Sequence, residues 1–172
     1  MQTLNREALE TIRCINTRDS TDDVLDHFTG FVEQFGVTGV LIGHITSAEQ
    51  VISGQPLRIS TWPTELLGAR VDHRAATHDP IIGYALRTNR PFYWEQALKF
   101  ATRFGRTISE EHRDYGLKEG VMFPMIDIEK TPGGVSLGGE KLDMTLRKLA
   151  RTSGKAIATL MLAPQRDSIW IA

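Results

Sequence analysis

Residues 120–139, GVMFPMIDIEKTPGGVSLGG, contain two short apolar segments on either side of a turn sequence. Segments of this length and composition are typical of strands, and the intervening EKTPGG supplies the proline and glycines that turns use. We therefore predict a strand pair over residues 120–127 and 133–139. Pro124 fits an edge or a bulge of the sheet, because proline cannot donate a backbone hydrogen bond.

A second strand pair is predicted earlier in the chain. Residues 37–46, VTGVLIGHIT, and residues 56–61, PLRIST, are rich in β-branched side chains, and a polar loop with Gly54 and Pro56 separates them. Such segments on either side of a loop with turn residues indicate adjacent strands. The two pairs together predict one sheet whose strands are mostly antiparallel, because two of the three links between strands are short.

Helical patterns precede, separate and follow the strand pairs. Residues 20–36 place acidic residues in a first turn and apolar residues along one face. Further helices are predicted from about Thr64 to Asp72, from Asp79 to Thr88, in up to two segments before Tyr115, and from about Lys141 to Leu162. This order predicts an α/β/α sandwich of the α/β (α+β) class, with a central, mostly antiparallel sheet of about five strands.

Composition limits the classes of protein to which the chain can belong. With 172 residues, 41% of them hydrophobic, it fits one domain with a substantial core. Its 20 Lys and Arg nearly match its 21 Asp and Glu, so no strong field draws it to nucleic acid or membrane. The one cysteine, Cys14, excludes an internal disulfide, and the charged first residues are not typical of a secretory signal. A cytoplasmic location is predicted.

The spacing of two sequence patterns argues against a hydrolase site and a metal site. Gly134 to Gly138, GVSLG, matches the nucleophile elbow of serine hydrolases. That elbow needs a strand, a tight turn and a helix, with a histidine after the serine, and the last histidine, His112, precedes Ser136. A serine hydrolase is therefore only a remote alternative. His73, His78 and Asp79 match no compact zinc pattern, and we predict no metal site and no cofactor.

Residues 78–96, HDPIIGYALRTNRPFYWEQ, combine a carboxylate before a proline with an aromatic cluster. The local interpretation is that Asp79 caps a helix whose first residue is Pro80. The aromatic residues of this region are expected mainly in the core. A pocket would need polar groups among them. The aromatic set comprises Trp62, Tyr84, Phe92, Tyr93, Trp94, Phe100 and Phe104.

The order of TWP, HDPII, RPFYWE, HRDYGLKEGVMFPM and GGVSLGG resembles the autoinducer-binding domain of LuxR-type quorum-sensing regulators. The similarity runs from about residue 20 to 165. It implies an α/β/α sandwich that encloses an acyl-homoserine lactone, forms homodimers and acts on promoter DNA through a C-terminal helix-turn-helix domain. On this interpretation residues 1–165 are the sensor domain, residues 166–172 begin an interdomain linker or tail, and the helix-turn-helix domain is absent from this chain.

The resemblance also implies roles for individual residues. Asp79 would accept a hydrogen bond from the amide N–H of the signal, Ser136 and Trp62 would bind its acyl carbonyl, and Trp94 would form a wall beside the lactone head. Tyr84 belongs to the same predicted ligand-binding set. The ligand would be an acyl-homoserine lactone or a related acylated small molecule.

Two further positions of the predicted site depart from the family pattern. Leu66 stands where the family usually has a tryptophan that donates to the lactone carbonyl, and Arg70 stands where tyrosine is usual. Leucine cannot donate a hydrogen bond, and arginine carries a permanent charge. Apolar residues are expected to surround the acyl chain, namely Val40, Ile42, Ile59, Leu67, Val121 and Phe123.

The sequence therefore predicts a ligand-sensing domain without enzymatic activity. The alternative is an antiactivator module of the same fold that dimerises with full-length regulators and needs no small molecule. A homodimer is predicted from the resemblance and from the amphipathic face of residues 141–162. That face would equally serve to cover the sheet of its own domain.

Overall fold

A computed structural model of the protein describes residues 6, 9–13, 21–45, 58–71, 78–126, 130–143 and 145. The helices are α1 (Thr21–Glu33), α2 (Thr64–Val71), α3 (Pro80–Ala85), α4 (Trp94–Leu98) and α5 (Arg103–Asp114). The strands are β1 (Gly39–His44), β2 (Arg58–Ser60), β3 (Phe92–Tyr93), β4 (Glu119–Ile126) and β5 (Pro132–Gly139). Residues 9–13 are also helical.

The strands form one five-stranded sheet in the order β2-β1-β5-β4-β3, and every neighbouring pair is antiparallel. Its centre is the predicted β4–β5 pair, which runs in register from Glu119 opposite Gly139 to Ile126 opposite Pro132. Pro124 lies past the end of the two-residue β3, which fits the predicted edge position. The predicted fold class and antiparallel sheet are confirmed.

One face of the sheet packs against α1. Phe28, Val32 and Phe35 of this region are almost fully buried against apolar side chains of β1, β4 and β5. Successive side chains of a strand point to opposite faces, so every second strand residue joins this core. The strand residues involved are Val40, Ile42, Val121, Phe123, Val135 and Leu137.

The predicted lining of the acyl chain is divided between the two faces of the sheet. Val40, Ile42, Val121 and Phe123 lie on the face that α1 covers, whereas the predicted ligand residues Ser136 and Trp94 lie on the other face. The sequence did not reveal this division, because period-2 alternation separates two faces without showing which helices cover each one. Leu67 does pack against the second core, and the side chain of Ile59 lies outside the described residues.

The second face is covered by the segments from Trp62 to Leu117. Its core combines side chains of α2, α3 and α4 with strand residues, and each large apolar side chain buried here contributes about 1.5–3 kcal/mol. Phe100 and Phe104, expected in the core, are 73% and 49% exposed. The buried members are Trp62, Leu66, Ile81, Ala85, Phe92, Trp94, Ala97, Leu117 and Met122.

Several boundaries differ from those predicted. The helix expected from Asp79 to Thr88 spans only Pro80–Ala85, and β3 was not predicted. Most of the helix expected over residues 141–162 lies outside the described residues, as do Cys14 and His73. Within the described ranges, no helix has the length and apolar character required to cross a membrane.

Candidate ligand-binding site

Glycines of three adjacent strands lie side by side on the second face of the sheet. Gly39 of β1 is opposite Gly138 of β5, which is opposite Gly120 of β4. We call these three residues the glycine row. β5 directs Val135 and Leu137 to the α1 face, so Ser136 and the glycines face the other way. The row leaves a strip of bare backbone on which large side chains can lie.

Two tryptophans occupy this strip. A Cβ atom placed on Gly138 would lie 2.5 Å from Cη2 of Trp94, and one placed on Gly120 would overlap the same ring. A Cβ atom on Gly39 would lie 3.1 Å from Cδ1 of Trp62. The indoles therefore rest directly on the sheet backbone, and the close approach depends on the absence of side chains there.

Trp94 is fixed by the helix that it begins and by a strand residue. It is the first residue of α4, and Gln96 Oε1 accepts a 2.8 Å hydrogen bond from the backbone N–H of Tyr93 just before it. Its indole Nε1 donates to Oγ of Ser136 over 3.1 Å, and both side chains are buried. This bond joins α4 to the centre of the sheet.

Trp62 is positioned by the link between β2 and α2. The hydroxyl oxygen of Ser60 accepts from the backbone N–H of Trp62 at 2.9 Å, and Oγ1 of Thr61 accepts from the N–H of Val40 at 2.9 Å. The Trp62 ring meets the Trp94 ring edge-on, with centroids 5.9 Å apart. The two predicted indoles are thus brought into contact.

His112 completes the aromatic group, and sequence reasoning did not assign it to the site. It is 1% exposed, and its ring centroid lies 5.1 Å from that of Trp62 and 5.5 Å from that of Trp94. The helical spacing of the buried residues Gly105, Ile108 and His112 in α5 was the available signal. We call Trp62, Trp94 and His112 the ring cluster.

Leu66 lies in α2, four residues after Trp62 in the chain, and is 1% exposed. It belongs to the same apolar core as Trp62 and Trp94. A tryptophan in its place would insert several extra atoms into a packed core, which costs about 1–3 kcal/mol. The backbone of Arg70 is in α2, but its side chain lies outside the described residues.

Asp79 is the N-cap of α3, as the local interpretation of the sequence proposed. Its Oδ1 accepts hydrogen bonds from the backbone N–H groups of Ile81 at 2.8 Å and Ile82 at 3.3 Å. The residue is 2% exposed, and its Oδ2 is also shielded from solvent. A buried carboxylate of this kind is a strong acceptor.

Asp79 and Tyr84 line a cavity of about 160 Å³ between α3 and the segment that follows α4. Tyr84 packs edge-on against Phe92, with ring centroids 4.6 Å apart, and stacks on Phe100 at 6.0 Å. The other described lining residues are His78, Pro80, Gly83, Arg87, Ala97, Phe100, Ala101 and Thr102.

The predicted site residues therefore fall into two neighbouring groups. Trp62, Trp94 and Ser136 are in contact on the glycine row, with Leu66 in the same core. Asp79 and Tyr84 line the cavity, and none of the first group does so among the described residues. Ala97 is common to the second core and the cavity wall, which makes the two regions adjacent.

Comparisons with known proteins place this geometry in context. The family profile described as "Autoinducer binding domain" matches residues 20–164. No curated protein matches the chain.

Similar solved structures share the fold at low sequence identity. The N-acylhomoserine lactone dependent LuxR family transcription factor CepR2 from Burkholderia cenocepacia is 15% identical, with 92% of this chain and 96% of that chain covered and a TM-score of 0.71. Escherichia coli SdiA is 12% identical, with 99% and 71% covered and a TM-score of 0.73. SdiA in complex with octanoyl-rac-glycerol is also 12% identical, with 100% and 70% covered and a TM-score of 0.72.

Proposed function

The chain belongs to the autoinducer-binding domain family of LuxR-type regulators, and on that premise we propose that it is the ligand-sensing domain of a quorum-sensing transcription regulator. It binds an acylated small molecule between the sheet and helices α2 to α5. It performs no chemistry on this molecule and requires no further cofactor. DNA is contacted by a separate helix-turn-helix domain.

The contact between Trp94 and Ser136 above the glycine row carries this proposal. The Ser136 oxygen accepts from the indole, so the hydroxyl proton remains for a ligand carbonyl. Asp79, one short helix away, offers a buried acceptor for an amide N–H. A donor and an acceptor next to apolar walls are the combination that recognises an acylated amide.

The class of ligand follows from the apolar walls. Leu66 and Met122 are buried on this face, and Leu41 and Leu67 pack against them, so an acyl chain would lie among these residues. Each methylene removed from water contributes about 0.8 kcal/mol. SdiA, which shares the fold, has been solved with octanoyl-rac-glycerol, an acyl chain on a head that is not a lactone. With Leu66 unable to donate to a lactone, we extend the proposed ligands beyond acyl-homoserine lactones.

Mass spectrometry of solvent extracts from the purified chain tests the proposal. We expect an acylated small molecule at close to one per chain. The variant Ile126→Ser is the control, because Ile126 is 66% exposed and does not line the cavity, so a compound held only by surface adhesion should decrease with it. A well-folded protein that stays empty after growth with acyl-homoserine lactones would contradict ligand sensing.

The ring cluster favours a second candidate function. Trp62, Trp94 and His112 contact one another and are almost fully buried, so this part of the core is already filled by the chain's own side chains. A domain with such a core can fold without ligand and act by dimerising with full-length regulators. The empty, well-folded outcome of the extraction experiment would support this antiactivator function.

No hydrolytic activity is expected from the GVSLG segment. Ser136 lies in the interior of β5, paired with Leu41 on one side and Met122 on the other, and is not at a strand-to-helix turn. The chain should therefore show no turnover of p-nitrophenyl esters or acyl-homoserine lactones above background, measured by absorbance and by mass spectrometry. Hydrolysis that Ser136→Ala removes and Ser109→Ala retains would establish a serine enzyme instead.

A further inference from the structure

The cavity between α3 and the segment after α4 is lined by two opposite charges. Among its described lining residues, Asp79 is the one carboxylate and Arg87 is the one permanent cation. Asp79 is 2% exposed, whereas Arg87 is an exposed residue, so the carboxylate lies at the inner side of the cavity and the guanidinium at its mouth. The Arg87 side chain forms no ion pair with a described residue, Asp79 included. The guanidinium is therefore available to a ligand.

The local fold places the two charges at opposite ends of α3. Asp79 caps the helix, and Arg87 follows its last turn, where the backbone N–H of Arg87 donates to the carbonyl of Tyr84 over 3.0 Å. Tyr84 stacks on Phe100 with ring centroids 6.0 Å apart, which gives the cavity an aromatic wall. The cavity thus combines a buried acceptor, an aromatic wall and a cationic mouth.

The size of the cavity fits the head of an acylated molecule. Its volume is about 160 Å³, which corresponds to roughly five water molecules at about 30 Å³ each. A small polar head fills such a space, and the acyl chain has to lie elsewhere. Ala97 belongs both to the cavity wall and to the second core, so the chain continues from the inner side of the cavity toward that core.

We infer that the head of the ligand carries a carboxylate, which makes the ligand an N-acyl amino acid such as a ring-opened N-acyl-homoserine. This inference rests on the proposed sensing function, because it names the ligand class of the same site. Asp79 accepts the amide N–H, and Arg87 pairs with the carboxylate, which is ionised at neutral pH. The planar guanidinium matches a carboxylate through two parallel hydrogen bonds. A lactone offers Arg87 no charge, and Leu66 cannot donate to its carbonyl.

The position of each charge allows one orientation of such a ligand. At the mouth, beside Arg87, the ligand carboxylate stays partly hydrated and avoids most of the desolvation cost of a buried ion pair. At the inner side it would lie next to Asp79, and two neighbouring carboxylates repel each other. The amide therefore points inward and the carboxylate outward.

Two probes that differ in the charge of the head test the inference, namely N-octanoyl-homoserine and its primary carboxamide. By isothermal titration we expect the acid to bind at least about tenfold more tightly than the carboxamide, because charge-assisted hydrogen bonds are roughly twice as strong as neutral ones. Arg87→Gln should remove this preference, and Arg87→Lys, which keeps the charge without the planar fork, should retain part of it. Arg90→Gln is the control and should keep the full preference, since Arg90 is exposed and lies outside the described cavity lining.

Two further probes separate this inference from the proposed function, namely N-octanoyl-homoserine lactone and octanoyl-rac-glycerol. Equal binding of the acid and the carboxamide, tighter binding of the lactone than of the acid, or a preference that survives Arg87→Gln overturns the inference and leaves ligand sensing in place. Binding of none of the four probes contradicts both. A preference for the acid that Arg87→Gln removes and Arg90→Gln keeps establishes Arg87 as the residue that selects the ligand head.

Discussion

Replacement of Gly120 by alanine is expected to destabilise the folded chain by about 3 kcal/mol. The new methyl group would overlap the Trp94 ring, and the ring is held against the sheet by its bond to Ser136. Overpacking of a core costs about 1–3 kcal/mol, and loss of a buried hydrogen bond adds about 1–3 kcal/mol. Chemical denaturation followed by tryptophan fluorescence measures both the stability and the displacement of the indole.

A glycine-to-alanine substitution in α1 provides a control that should change the stability of the chain in the opposite direction. Gly30 lies within α1, and a Cβ atom there would have no neighbour within 4 Å. Gly30→Ala should therefore stabilise the chain by about 0.5–1 kcal/mol, since alanine is the better helix former. A stability of Gly120→Ala equal to that of the unaltered chain, with unchanged fluorescence, would show that Trp94 does not rest on the glycine row.

Asp79→Ala is expected to abolish the stabilisation that an acylated ligand provides. A ligand at a hundred times its Kd adds about 2.7 kcal/mol to the folded state, which for a domain of this size corresponds to about 5–10 °C in Tm. Removing the carboxylate removes the proposed acceptor of the amide N–H. Differential scanning fluorimetry with a series of acyl-homoserine lactones and acylglycerols measures the shift.

The capping role of Asp79 has to be separated from binding. Asp79→Ala also removes the two bonds to Ile81 and Ile82, at about 0.5–2 kcal/mol. Asp79→Asn caps equally well but is a weaker, uncharged acceptor, so it should retain part of the ligand shift. Gln96→Ala removes a helix-start contact away from the cavity and should lower Tm with the ligand shift intact. If Asp79→Ala keeps the full ligand-induced shift in Tm, Asp79 acts only as a helix cap and does not bind the ligand.

The elements of the fold were predictable where a periodic pattern was long enough. The β4–β5 pair followed from two apolar segments and a turn sequence, and α1 followed from the spacing of its apolar residues. β3 was missed because two residues, Phe92 and Tyr93, carry no periodicity. The length of α3 was overestimated, since the residues after Ala85 continue in turn-type hydrogen bonds, such as that from the N–H of Arg87 to the carbonyl of Tyr84, and form no further helical turn.

The sequence predicted which residues belong to the candidate site better than it predicted how they contact one another. The contact of Trp62 with Trp94 and the bond of Trp94 to Ser136 join residues 32 and 42 positions apart in the chain, and the spacing of residue types in the sequence does not predict which of them meet. His112 was overlooked because a histidine in a charged helix is ordinarily on the surface. Its place on the buried face becomes informative only when the opposing indoles are known.

The contact between the two indoles also gives the domain an optical property. The chain has three tryptophans, and two of them, Trp62 and Trp94, lie with ring centroids 5.9 Å apart and an interplanar angle of 74°. Transition dipoles this close couple, and the coupling produces paired circular-dichroism bands of opposite sign. The amplitude of these bands depends on the mutual orientation of the rings. The site therefore carries its own spectroscopic reporter, which responds to any molecule that separates or rotates the two indoles.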